Sequence, residues 1–136
     1  MPVDVGVLAL RGNFHLLHRA SQSSNDVGAY LLRFYAVECG LKAALLLRSN
    51  ARSTKQLPAH LRNHDLRALA SALKLPPATL SGIAPCGRHD AQQAPVEPHQ
   101  VHEAWRYGAR LVPDAEKTFV TGLDSLIAWC LKELQR

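Results

Sequence analysis

The sequence predicts an all-α fold: one bundle of four or five antiparallel helices spanning residues 1–136. Two kinds of observation predict it. Apolar residues recur at spacings of three and four, and no stretch alternates apolar with polar as a half-buried strand does. Length is the other: 136 residues are enough for one core and few for two. Short connections between helices favour antiparallel neighbours.

The first helix is expected from about Val5 to Ser21, with Val7, Leu10, Phe14 and Leu17 on its inner side and Gly12 weakening it. SQSSN (21–25) ends it. Asn25 is the expected N-cap of the second helix, and Asp26 suits its first turn. That second helix, about Asp26 to Ser49, carries YLLRFYAVECGLKAALLLR and is apolar around most of its circumference, so it belongs at the centre. Glu38 and Lys42 stand four apart, acid first, as a structural ion pair. Gly40 costs roughly 1 kcal/mol inside a helix, which a close helix–helix contact would explain.

Residues 50–62 read as a basic loop. Asn63 is the expected cap of a third helix over 64–74, with Leu66, Leu69, Ala70 and Leu73 inward, stopped by Pro76 and Pro77. The stretch 83–98, with Pro85, Gly87, Pro95 and Pro98, is expected to be the least ordered. Pro98 and Pro113 suit the first turns of a fourth helix (about 98–111) and a fifth (about 113–135). No internal repeat is visible.

Hydrophobic residues make up 47% and charged residues 20%, which excludes a disordered chain. The net charge is +5 and the pI about 9.5. The excess is local: Lys42, Arg48, Arg52, Lys55, Arg62, Arg67 and Lys74 face Asp65 alone between residues 42 and 74. Such a patch draws polyanions (RNA, DNA, a nucleotide) or an acidic protein. Cys39, Cys86 and Cys130 form no CxxC pair, which fits a reducing, cytoplasmic setting. The N-terminus lacks the basic start of a signal peptide, and AALLL (43–47) is too short to span a bilayer, so no membrane partner is expected.

Candidate chemistry gathers in VHEAWRYGAR (101–110). His102, Arg106 and Arg110 follow at four-residue steps, one stripe of a continuous helix, beside Trp105 and Tyr107. The stripe reads as a phosphate-binding face with an aromatic to stack a base; the competing reading packs Trp105 in the core. His64 joins that site if the fold brings the two segments together, with Arg62 and Arg67 supplying further positive charge. Cys86-x-x-His89 and His99-x-x-His102 have zinc-like gaps, but Cys-His-His-His is not a common structural set, so no metal is expected. No P-loop, GxGxxG or catalytic serine is present, and no cofactor is expected.

A long YAVECGLKAALLL helix, a short HDLRAL helix and RYGAR before a last amphipathic helix together resemble HEPN domains (the higher eukaryotes and prokaryotes nucleotide-binding family) from about Tyr30 to Leu134. The resemblance implies an all-α bundle, a prokaryotic defence or toxin–antitoxin setting, and pairing as a homodimer. Many HEPN proteins are metal-independent ribonucleases that use an Arg followed four to six residues later by a His. Here the order is reversed, His102 before Arg106, and no histidine follows Arg110. Arg11 and His18 match that spacing only on the first helix, where the family does not place it. The expectation is therefore a binding or accessory module that engages RNA, a nucleotide or a larger effector protein. The rival is an atypical ribonuclease, with His102 or His64 as acid and base and Arg106 or Arg110 stabilising the phosphate. A third reading is a purely structural protein-docking subunit.

Overall fold

The computed structural model describes residues 3–135. Five α-helices make up the fold: α1 (Val7–Ser21), α2 (Val27–Arg48), α3 (Leu66–Ala72), α4 (Val101–Tyr107) and α5 (Pro113–Glu133). Four short 3-10 turns lie in the connections. Among the described residues there is no strand, only isolated antiparallel bridges. Among the described residues no helix is long and apolar enough to cross a membrane.

α2 is central, as its apolar circumference predicts: α1, α3, α4 and α5 all pack against it. Phe34, Val37, Leu41, Ala44 and Leu46 are fully buried there. Gly40 marks the closest approach. A Cβ at this position would lie 2.7 Å from Cys130 Sγ on α5 and 2.9 Å from Phe14 Cδ1 on α1. The glycine therefore exchanges helix propensity for helix contact.

Local signals were displaced by a residue or two at the helix starts. Asp26, not Asn25, caps α2, accepting from Ala29 N at 3.0 Å. Asp65, not Asn63, caps α3, accepting from Ala68 N at 3.1 Å. In each case the aspartate stands at the position from which its oxygen reaches the N3 amide. His64 consequently lies before α3 rather than on it. Its inward face is as expected: Leu66, Leu69, Ala70 and Leu73 are buried.

Two connections are tied down by backbone pairing. The N-terminal segment runs along the basic loop, with Val7 N donating to Arg52 O (3.1 Å) and Thr54 N to Val5 O (2.9 Å). The proline-rich 83–98 stretch, expected to be loose, is pinned. Cys86 and Val96 exchange backbone hydrogen bonds at 2.9 and 2.8 Å, and Val112 N donates to Gly87 O at 2.8 Å. Its own Ile83 and Cys86 are buried in the core.

The fourth helix is shorter than its pattern suggested. It ends at Tyr107 because Gly108 adopts φ +78°, a left-handed C-cap. α5 follows after Pro113 at its first turn, as expected.

Candidate functional site

Three segments remote in sequence meet beside α2. α2 contributes Tyr35, Glu38 and Lys42; the turn before α3 contributes His64; α4 contributes His102 and Arg106. The spacing 35, 38, 42 is helical, so these three share one face of α2.

His102 is the buried centre, 2% exposed. Its ring lies 4.3 Å from that of His64, centroid to centroid, and 5.1 Å from that of Phe34. Its Nδ1 is 3.2 Å from the Tyr35 hydroxyl and 3.2 Å from Arg106 Nη2. Arg106 Nη2 also donates to Tyr35 Oη. The guanidinium is donor only, so the Tyr35 O–H is free to donate to Nδ1, which places the proton of neutral His102 on Nε2. Nε2 is buried and has no hydrogen-bond partner among the described residues. Burial, then the neighbouring His64 and Arg106, hold the His102 pKa below the ordinary histidine value. Its hydrogen bond to Tyr35, ahead of a second to Tyr107, raises the already high pKa of Arg106.

His64 is the open member, with 48% of its side chain exposed. Its Nδ1 meets Glu38 Oε1 at 2.7 Å. The other oxygen, Oε2, accepts from Lys42 Nζ at 2.8 Å. The expected Glu38–Lys42 pair is thus present at 13% and 12% side-chain exposure, and it carries His64 as a third partner. The carboxylate orients the imidazole and leaves Nε2 of His64 toward other partners.

The site residues expected from sequence divide clearly. His64, His102 and Arg106 come together. Tyr107 is 75% exposed, with the Arg106 guanidinium 5.5 Å from its ring centre. Trp105 packs in the core, its indole N–H donating to Glu116 Oε2 at 2.9 Å. Arg110 leaves the stripe, because α4 ends three residues earlier; its carbonyl instead accepts from His89 N at 2.9 Å. Arg67 donates to the carbonyls of Leu80 and Ile83, so it clips a loop in place. Arg62 is exposed and makes no ion pair among the described residues. The basic patch is likewise reduced: Lys42 is held by Glu38, and Arg48 by Glu133 and the Leu73 carbonyl.

His102, read from sequence as a possible acid or base, is 2% exposed, with Nδ1 turned to Tyr35 and Arg106 rather than to solvent. The zinc-like set also falls apart. No group of three or more His, Cys, Asp or Glu side chains is gathered for a metal among the described residues. Cys86 lies against the Ala84 and Ala115 carbonyls, with its pKa pushed up to about 11 by burial, while His102 belongs to the Tyr35 cluster. On α1, His18 stacks on Phe14 with ring centres 6.1 Å apart, a packing contact.

Tyr35 was the residue missed. Its position three before Glu38 and seven before Lys42 was the available signal, but it is masked by the apolar run around it. Family models, curated proteins and solved structures were each compared with the chain, and nothing matches it.

Proposed function

We propose that the chain is a HEPN-like helical binding module of a prokaryotic defence or toxin–antitoxin system, and that it engages RNA through the surface carrying Arg106 and His64. One observation carries the reading. Two donors from segments 42 positions apart meet at the buried His102, Arg106 hydrogen-bonded to its Nδ1 and to Tyr35, His64 packed beside its ring and bonded to Glu38, while both stay open to solvent. An arginine, a histidine and the exposed ring of Tyr107 form the combination that grips a phosphate and stacks a base. Arg62 adds charge on the same side as His64, both lining one groove.

The test is a fluorescence-polarisation titration of tRNA and single-stranded RNA in EDTA across a salt series, with Arg106→Ala and His64→Ala alongside. Binding should weaken steeply with salt, and each variant should reduce the slope of log K against log salt by roughly 0.7–0.9 per lost phosphate contact. No binding at low salt would remove the RNA reading and leave docking to a larger protein. Cleavage in EDTA that disappears in His64→Ala would move the protein to the ribonuclease class, with the Glu38-backed His64 as the proton-transfer group.

A further inference from the structure

A groove of about 820 Å³ opens between the N-terminal segment, α1, α2 and the basic loop. Its size lies in the range of small-molecule sites. Its lining combines apolar side chains, Val5, Ala9 and Leu10, with the cations Lys42, Lys55 and Arg62.

The charges there are unequal in their commitments. Both acids in the lining are already occupied. Asp4 Oδ1 accepts from Lys55 N at 2.9 Å and from Thr54 Oγ1 at 3.3 Å. Glu38 uses one oxygen for His64 and the other for Lys42. The cations are not: Lys55 and Arg62 make no ion pair among the described residues. Lys42 gives one of its three N–H donors to Glu38 and has two left for the groove. A groove lined by both apolar surface and donors in search of an acceptor selects a molecule that is itself part apolar and part anionic.

We propose that this groove is a binding site for a small organic anion, an apolar or aromatic body with a single carboxylate or phosphate head. The body lies on Val5, Ala9 and Leu10, and the head is held by Lys42, Lys55 and Arg62. The groove adjoins the proposed RNA surface, sharing Arg62 and His64 with it, while Arg106 and Tyr107 lie outside its lining.

The experiment is a fluorescence titration with anilinonaphthalene sulfonate, an aromatic body with an anionic head, followed by competition with octanoate, phenyl phosphate and inorganic phosphate. Two variants accompany it. Ala9→Trp fills the apolar half from an exposed helix position. Lys55→Ala/Arg62→Ala removes two exposed cations while keeping the Lys55 amide that holds Asp4. The wild type should form a saturable one-to-one complex that both organic anions displace and inorganic phosphate does not. The stronger of the two competitors identifies the head group. The double variant should weaken binding by about tenfold or more, the effect of losing charge-assisted hydrogen bonds. Ala9→Trp should abolish it while leaving RNA affinity unchanged. Absence of saturable binding, binding that ignores both variants, or displacement by inorganic phosphate as effective as by the organic anions would overturn the proposal. RNA titration of the wild type and of Ala9→Trp, which touches no residue assigned to RNA, keeps its failure separate from failure of the RNA reading.

Discussion

Gly40→Ala sets two effects of similar size against each other. Helix propensity favours alanine by about 1 kcal/mol in a helix interior. Packing opposes it. The new methyl would meet Cys130 Sγ at 2.7 Å and Phe14 Cδ1 at 2.9 Å, where ordinary contact begins near 3.4 Å. The sulfur would have to recede by about 0.7 Å and the ring by about 0.5 Å. Neither has room, because Phe14 and Cys130 are both fully buried. Overpacking of this kind costs about 1–3 kcal/mol, and two rigid neighbours place it in the upper half. The net expectation is destabilisation by about 1–2 kcal/mol. Urea denaturation followed by helical circular dichroism should show a midpoint lower by roughly 0.5–1 M with an unchanged slope. Cys130→Ala in the same chain removes the nearer atom. The double variant should be less damaged than the sum of the singles, by about 1 kcal/mol. A midpoint that rises in Gly40→Ala would mean that propensity wins and that α1 and α5 do not pin α2 at this point.

Other outcomes follow from the same contacts. Tyr35→Phe deletes the hydroxyl shared by Arg106 and His102, and should cost about 1–2 kcal/mol in urea. If the coupling is real, Arg106→Ala should add little in that background; full additivity would rule it out. The folded pKa of His102 is depressed by burial and by His64 and Arg106, against weaker support from Glu103 and Glu38, and that of His18 is depressed mainly by burial. The unfolded chain therefore takes up these protons first. Stability is held above about pH 6.5 and lost as pH falls toward the lower folded values. Thermal melts between about pH 7 and 5 should flatten in His102→Gln/His18→Gln, and an unchanged pH slope would exclude these groups as its source. Gly108 and Lys74 both hold positive φ, +78° and +59°. Gly108→Ala should lose about 1–2 kcal/mol through the backbone alone, since nothing lies within 4 Å of the added carbon. Lys74→Gly should gain up to about 1 kcal/mol, and melting temperatures moving in the same direction for both would contradict the assignment.

The sequence by itself determined what depends on neighbours along the chain. The apolar circumference of α2, the inward face of α3 and the Glu38–Lys42 pair follow from spacing of three and four, and Pro113 opens α5 as expected, while Pro98 opens a 3-10 turn ahead of α4. Even Gly40 was legible as a contact point, because a glycine in so strong a helix has a cost that something must offset. Tertiary structure alone decided the site. His64 and His102 meet across 38 positions of sequence, and no periodicity reports that meeting. The end of α4 at Gly108 set Arg110 apart from Arg106, because one left-handed residue outweighs a pattern continued on paper. The 83–98 stretch is held by the internal Cys86–Val96 backbone pair, by a pair to Leu111 beyond α4, and by burial of Ile83 and Cys86, none of which periodicity reports. His102 illustrates the difference most plainly: on a helical wheel it is a polar residue on a basic stripe, and in the fold it is buried between Phe34, His64 and Tyr35. Local spacing specifies which face a side chain shares; only the packing of other segments decides whether that face meets solvent or the core.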